Sequence, residues 1–282
     1  MLAAPFVSSA FTRTLVAHAQ GCGLPVDLLL QRAGIEPAWL EGHGRVPALL
    51  VEQFLAECEA AGAGRDFGCE LVPGMATHSL QGLNILLDSA ATVRASLECF
   101  IRYLPLVTNC IRVSLEEDAG QAQLQVRRYQ HQPHYYMLDA AALSLVRNIA
   151  RRAGKPPASL FSHVSLLAGQ AAAPWLHGWG VAASEGQWLN LQLTPQALDL
   201  ALPGANAFLH QSMLRQWQGA TDDGGRKDSL HLARHWLSAG DQPIERIAER
   251  LGYRQPSNFI RAFRKQFGVT PKQFRLNALQ VM

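Results

Sequence analysis

Features that would mark a membrane or exported protein are absent from this sequence of 282 residues. It has no apolar run long enough to cross a bilayer. The N-terminal stretch MLAAPFVSSAFTRTLVAHAQG lacks the basic region of a signal peptide, and Arg13 interrupts its apolar residues. We therefore predict an amphipathic helix at the N-terminus and no membrane partner.

Cysteine is scarce and shows no paired pattern. The chain has 5 cysteines, an odd number, and they are scattered without a CxxC pair. Neither a disulfide framework nor a zinc ribbon is indicated by such spacing. We interpret these residues as buried, reduced thiols of a cytoplasmic protein, with a metal site or a reactive thiol as the alternative.

The motifs of common enzyme classes are missing as well. There is no GxSxG, P-loop or HExxH sequence, and the GCG at residues 21–23 lacks the third glycine and preceding strand of a dinucleotide site. His231 and His235 stand four positions apart, but no acidic residue near them completes a metal-ligand pattern. We predict that the protein is not an enzyme and has no cofactor or metal site.

Acidic residues are absent from the C-terminal segment. Seven basic residues and no acidic residue occur between Arg250 and Arg275. From Arg226 onward, 11 Lys and Arg residues stand against 4 Asp and Glu residues, a net charge of +7. The rest of the chain has 14 basic and 18 acidic residues, a net charge of −4. A weakly acidic body with a basic end indicates two functions, one of which involves a polyanion.

The body of the chain mixes helical and strand periodicities. Apolar residues at helical spacing predict helices, and alternating residues on either side of Asp-Ala-Gly predict a β-hairpin. The predicted helices lie within 8–60, 80–109 and 134–152, and the predicted strands are 111–115, 122–126, 164–167 and 188–193. The expected fold class is a mixed α/β (α+β) domain at residues 1–210, followed by a polar linker at 211–227 that contains glycine.

Residues 228–282 are predicted to form a small all-α unit. Gly252 separates two amphipathic helices, Gly268 ends the second, and Thr270 with Pro271 begins a third. The apolar residues of the first two helices are Ile244, Ile247, Ala248 and Leu251, then Phe259, Phe263 and Phe267. Two helices joined by a short glycine turn are typical of a helix-turn-helix.

The face opposite the phenylalanines is polar and basic, which suits the major groove of double-stranded DNA. We predict that Asn258 and Arg261 contact base edges and that the remaining basic residues contact phosphates. The predicted DNA-binding residues are Arg254, Gln255, Ser257, Asn258, Arg261, Arg264, Lys265 and Lys272. A basic helix that is merely solvated is the alternative.

Two parts of the sequence resemble one known family. IAERLGY, SNFIRAFRKQFG and TPKQFR resemble the second helix-turn-helix of the AraC/XylS family of bacterial transcription regulators. LLLQRAGI, ATVRASLECFIRYLPLV, HYYMLDAAALSLVRNI and LDLALPGAN resemble the arabinose-binding type of effector domain in that family. The resemblance implies a regulator that binds promoter or operator DNA, responds to a small molecule and is often a homodimer. RNA polymerase is a further partner of such regulators.

The chain departs from this family at one point. Relatives have two helix-turn-helix units joined by a long helix, and SLHLARHWLSAG matches only the end of that helix. Just 19 residues separate Asn206 from Arg226, too few for a complete first unit. We therefore predict an effector-responsive regulator with a single helix-turn-helix. The alternative is an effector-binding or dimerising protein with weak or no DNA binding that modulates a full-length relative.

Polar residues within apolar segments are candidates for effector contacts. They are His78, Ser79, Tyr103, Asn109, Tyr135 and Tyr136. For each of them a satisfied core residue is the alternative. The arginine pairs 127–128 and 151–152 could attract an acidic effector, with a solvated surface as the alternative.

Overall fold

A computed structural model describes residues 5–41, 44–75, 80, 82–118, 121–128, 134–218, 230, 233–234, 236–237, 242–251, 253 and 255–279. It has a mixed α/β N-terminal domain and a helical C-terminal region, which confirms the predicted fold class. None of the helices in these ranges has both the length and the apolar character needed to cross a membrane.

The helices and strands follow one another along the chain with short connections. The helices of the N-terminal domain are α1 (Ser9–Gly21), α2 (Val26–Ala33), α3 (Pro37–Leu40), α4 (Ala48–Ala60), α5 (Phe67–Gly74), α6 (Leu83–Asp88), α7 (Val93–Val107), α8 (Tyr135–Ala153), α9 (Pro157–Leu160), α10 (Ala173–Gly178) and α11 (Ala207–Gln218). Its strands are β1 (Phe6–Ser8), β2 (Arg45–Pro47), β3 (Ile111–Asp118), β4 (Gln121–Arg128), β5 (Phe161–Leu166), β6 (Ala182–Glu185) and β7 (Leu189–Leu193). The C-terminal helices are α12 (Ile244–Arg250), α13 (Pro256–Phe267) and α14 (Pro271–Leu279).

The larger sheet has the strand order β3-β4-β7-β5-β6. Its strands β3 and β4 form the predicted hairpin, in which Val113 lies opposite Val126. Leu124 pairs with Leu191 of β7, which in turn pairs with Val164 of β5. These last three side chains are fully buried. Because side chains alternate along each strand, one face of the sheet is apolar and packs in the core.

The N-terminal stretch does not begin as the predicted helix. Residues Phe6–Ser8 form β1, which pairs antiparallel with β2 so that Val7 lies opposite Val46. The helix α1 starts at Ser9, and the Ser8 side chain caps it by accepting the backbone N–H of Phe11. Strands of three residues are too short to show an alternating pattern, so this pair has no signal in the sequence.

Two glycines determine how α8 is placed. Gly154 has a left-handed backbone with φ of 62° and ends α8, which confirms the predicted break before Pro156. At Gly68 in α5, an added Cβ would lie 2.2 Å from the carbonyl oxygen of Tyr136. The missing side chain therefore allows α5 to pack directly on the backbone of α8.

The predicted linker begins within a helix. Residues 211–218 belong to α11, and the ring of Trp217 lies 5.8 Å from the ring of Tyr103 on α7. The polar composition of this stretch hid its apolar side, where Met213 and Leu214 also pack against the core. Residues 219–227 of the predicted linker lie outside the described ranges, and the domain boundaries stay predictions.

Candidate functional site

The ends of α13 are set by local sequence. Pro256 is its first residue, a position where the missing N–H costs nothing, and Gln255 precedes it with an extended backbone. Gly268 ends the helix in a left-handed conformation with φ of 78°. Its N–H donates to the carbonyl of Arg264 at 2.9 Å. Both ends agree with the prediction.

One face of α13 is anchored in the C-terminal core. Phe259 and Phe263 are fully buried, as are Ile247 and Ala248 of α12. The rings of Phe259 and Phe263 lie 5.7 Å apart in an edge-to-face arrangement. Burial of a side chain of this size contributes about 1.5–3 kcal/mol, so these contacts fix the rotation of α13 about its axis.

The opposite face of α13 is open to solvent. Gln255, Ser257, Asn258, Arg261, Arg264, Lys265 and Lys272 are all exposed. Among the described residues, Arg261, Arg264 and Lys265 have no acidic partner within ion-pair distance. Their charges are therefore available for phosphate groups. Arg254 lies outside the described residues, and the role of every residue in this set stays a prediction.

The helix α14 is held behind α13 by a capping box. The Gln273 N–H donates to the Thr270 hydroxyl oxygen at 3.3 Å, and the Thr270 N–H donates to Oε1 of Gln273 at 3.1 Å. Phe274 places its ring 5.8 Å from that of Phe263. These contacts confirm the predicted start of α14 and place Lys272 in its first, exposed turn.

A single ion pair joins the two parts of the chain among the described residues. The Nη2 atom of Arg234 lies 2.7 Å from Oε2 of Glu36, which precedes α3. The guanidinium of Arg234 also lies 5.9 Å from the centre of the Phe267 ring at the end of α13. Arg234 thus contacts both the N-terminal domain and the last turn of α13.

A cavity of about 170 Å³ lies in the N-terminal domain between α7 and α8. The sequence predicted no particular position for such a cavity. Its apolar lining comes from both helices and consists of Leu97, Phe100, Leu104 and Val107 of α7 and Met137, Ala141, Leu145 and Ile149 of α8. An enclosed apolar space with a few polar groups is the usual form of a small-molecule site.

One end of the cavity carries an acidic group. Oε2 of Glu52 accepts the backbone N–H of His134, just before α8, at 2.5 Å. Burial raises the pKa of the Glu52 carboxyl. Thr108 and Cys110 line the same end, and both donate to the carbonyl oxygen of Phe6, at 2.8 and 3.2 Å. Burial raises the pKa of the Cys110 thiol to about 11, so this thiol is protonated near neutral pH.

The other end carries a guanidinium. The side chain of Arg152, near the end of α8, is only 8% exposed. Its Nε donates to Oδ1 of Asp88 at 2.7 Å, and its Nη2 donates to Oδ1 of Asn84. Burial lowers the pKa of Arg152, but a guanidinium remains charged in proteins.

The six residues predicted to contact an effector do not come together at this cavity. Asn109 accepts the Phe6 N–H at 2.7 Å, and the hydroxyls of Tyr135 and Tyr136 donate to Glu59 at 2.8 Å and to the Ala63 carbonyl at 3.0 Å. Tyr103 is buried and none of these four lines the cavity. His78 and Ser79 lie outside the described residues. Arg152 does line it, and the signal available in the sequence was a basic residue on a predicted amphipathic helix.

Among the described residues, one cluster has the composition of a metal site. Ligand atoms of His18, Cys22 and Glu70 lie within 4.8 Å of one another. Nε2 of His18 is 3.1 Å from the carbonyl oxygen of Phe67, so this nitrogen already has a hydrogen-bond partner. Burial lowers the pKa of His18 and raises that of Cys22. All five cysteines are free, and Cys22 is exposed, contrary to the prediction of buried thiols.

Comparison with known proteins gives matches over both parts of the chain. The family described as the arabinose-binding domain of AraC transcription regulator, N-terminal, matches residues 23–173. A helix-turn-helix domain family matches residues 226–277.

An individual relative matches only within a short segment. YtdP, an uncharacterized HTH-type transcriptional regulator of Bacillus subtilis (strain 168), is 44% identical over 45 residues. That segment is 16% of this chain and 6% of the relative, so the chain spans only a small fraction of its length. The crystal structure of the transcriptional regulator CdpR from Pseudomonas aeruginosa is similar over 89% of this chain and 96% of its own, with 15% identity and a TM-score of 0.48.

Proposed function

Because the chain belongs to the AraC family of transcription regulators, we propose that it controls transcription in response to a small molecule through a single helix-turn-helix. The helices α12 and α13 form the DNA-binding unit, and the cavity between α7 and α8 holds the effector. Regulators of this family are generally not enzymes. The observation that carries the proposal is the two-faced α13, with buried phenylalanines on one side and unpaired basic residues on the other.

The geometry of α13 supports binding in the major groove. Asn258 and Arg261 lie in its first half, where a recognition helix reaches base edges. Arginine pairs with guanine and asparagine with adenine through two hydrogen bonds each. Arg264, Lys265 and Lys272 surround this pair and are placed to contact phosphates, which position the helix without reading sequence.

A single unit makes few phosphate contacts, and each contact adds to affinity and to its salt dependence. A homodimer would place two units on half-sites about 34–36 Å apart and bind both together. Dimerisation through the N-terminal domain is therefore part of the proposal. Effector control then requires that the effector bind one arrangement of the two units more tightly than another.

The proposal is tested by fluorescence anisotropy of the purified protein on its own upstream DNA and on a scrambled duplex, over a range of salt concentrations. We expect selective binding that weakens with salt, with a logarithmic slope of about 0.9 per phosphate contact. Arg261→Ala should reduce selectivity. Arg246→Ala is the matched control, because Arg246 is an exposed arginine of α12 that pairs with Glu249.

A second candidate function is supported by the short connection between the two parts. The helix α11 continues to Gln218 and packs on the N-terminal domain, and the helix-turn-helix match begins at residue 226. Little chain is left for the first unit of the usual pair. The alternative is an effector-binding or dimerising protein that modulates a full-length relative. Weak, equal binding to both duplexes would favour it over the single-unit regulator.

A further inference from the structure

The cavity in the N-terminal domain is elongated. It follows one side of α8, whose lining residues Met137, Ala141, Ser144, Asn148 and Arg152 recur at intervals of three or four. At the rise of an α-helix, the path from Met137 to Arg152 is about 22 Å long. A ligand that follows this side of α8 is extended rather than round.

The two ends of this path have opposite charges. Glu52 lies at the start of α8, where it accepts the His134 N–H, and Arg152 lies one residue before the end of the helix. Between them the lining is apolar and includes Phe100, Leu104 and Leu145. A charged group on a ligand therefore has one favourable end and one unfavourable end.

The positive charge at the Arg152 end is not fully balanced. Oδ1 of Asp88 accepts both the Nε of Arg152, at 2.7 Å, and the Nη2 of Arg151, at 2.8 Å. Two guanidinium groups thus share one carboxylate. Asn84 accepts another N–H of Arg152 without adding negative charge, and Nη1 of Arg152 has no hydrogen-bond partner among the described residues. A buried, incompletely compensated cation favours an anionic partner.

We propose that the cavity binds a small monocarboxylate, whose apolar body lies between α7 and α8 and whose carboxylate pairs with Arg152. This inference rests on the proposed function and adds the chemical class of the effector. The carboxylate is oriented by attraction to Arg152 and by repulsion from Glu52 at the far end. Arginine suits this role because its planar donors match a carboxylate.

The size and lining of the cavity limit the body of the ligand. Its volume of about 170 Å³ is close to that of engineered apolar cavities of about 150 Å³ that bind benzene. A medium-length alkyl chain or a phenylalkyl group fits this limit. The apolar middle offers no partners for the hydroxyls of a sugar, and unpaired hydroxyls are costly to bury. The ligand class therefore differs from the sugar named in the description of the matching family.

The test is isothermal titration calorimetry of the full chain, without DNA, using octanoate, octanamide and octylamine. These probes share a chain and differ in the charge of the head group. We expect octanoate to bind at least about tenfold more tightly than octanamide, which corresponds to the loss of one buried charge pair. We expect no measurable binding of arabinose. Equal affinity for octanoate and octanamide would overturn the proposal.

Two adjacent arginines provide a matched pair of variants. Arg152→Gln should weaken octanoate about tenfold or more and leave octanamide unchanged. Arg151→Gln should leave both unchanged, because Arg151 shares Asp88 but does not line the cavity. Equal losses in the two variants would contradict a direct contact. If Arg152→Gln does not fold, Ala141→Phe fills the middle of the cavity and should abolish octanoate binding.

The calorimetry separates this inference from the proposed function. Octanoate binding without any change in DNA anisotropy would support the ligand class and refute the effector response. A different compound that changes DNA binding, in the absence of octanoate binding, would refute the ligand class and leave the regulator intact.

Discussion

The C-terminal unit and the N-terminal domain present their candidate sites in opposite ways. In the C-terminal unit the site is a surface, namely the exposed side of α13, in a segment with a net charge of +7 from Arg226 onward. In the N-terminal domain the site is an internal cavity with one buried guanidinium. A surface site follows from the periodicity of one helix, whereas a cavity depends on how several elements pack.

The two regions also differ in how their cores are built. The C-terminal core is small and centred on two phenylalanines, Phe259 and Phe263. The N-terminal core spans a five-stranded sheet and the helices around it. Small domains bury a smaller fraction of their surface and have less stability to lose. The predictions below test this contrast, from the largest expected effect to the smallest.

The largest effect is expected for Phe263→Ala. Phe263 is fully buried and contacts three other aromatic rings, so its truncation should destabilise the C-terminal unit by about 3–5 kcal/mol. DNA binding should be lost, while the unfolding transition of the N-terminal domain in urea remains in place. Circular dichroism and anisotropy measure the two effects. Lys265→Ala on the exposed side is the control, and unchanged DNA binding by Phe263→Ala would argue against a small, separate core.

A comparable test of the N-terminal domain is Gly68→Ala. The added methyl group would collide with the Tyr136 carbonyl oxygen, so α5 and α8 must move apart at a cost of about 1–3 kcal/mol or more. Gly74→Ala is the matched control, because an added Cβ on the same helix meets no atom within 4 Å. Urea denaturation measures both. Equal stabilities of the two variants would mean that the close approach of α5 and α8 is not required.

On the surface of α13, Arg261→Ala should cost about 1–3 kcal/mol of DNA-binding free energy and relax the preference at one base position, if the side chain reads a base. Lys265→Ala should weaken binding on all sequences and reduce the salt slope by about 1. Anisotropy on a set of single-base variants of the upstream duplex measures both changes. A uniform loss for Arg261→Ala would assign it to the phosphate backbone instead.

The smallest effect is expected for the ion pair between the two regions. Arg234 and Glu36 are partly exposed, and such pairs contribute about 0.2–1 kcal/mol. A double-mutant cycle of Arg234→Gln and Glu36→Gln, followed by urea denaturation, gives the coupling free energy. A value well above this range would show that the two regions are joined more tightly than the contrast between them suggests.

Helix ends and the hairpin were predictable because their signals are local. Pro256 and Gly268 bound α13 through backbone chemistry that does not depend on the rest of the fold. The alternation in β3 and β4 likewise predicted the register that places Leu115 opposite Leu124. The strands β1 and β2 were missed because each is too short to show a period, and the helix at 211–218 because most of its side chains are polar.

The cavity was not predictable from the same information. Tyr103, Asn109, Tyr135 and Tyr136 were chosen as polar residues in apolar segments, and each has its place elsewhere in the fold. Polar character indicates that a side chain needs a partner but does not identify it. Arg152 shows the converse, since a basic residue compatible with a solvated surface is enclosed beside Asp88 and Asn84.

The sequence by itself determined that a basic helix with one apolar side stands near the C-terminus, because side-chain spacing and capping residues act within a single helix. Only the tertiary structure decided that α7 and α8 run beside each other with a gap between them, and that Glu52 and Arg152 stand at its two ends. The physical reason is that a cavity is the space left by the packing of distant segments, and no residue within one segment records what its neighbours leave empty.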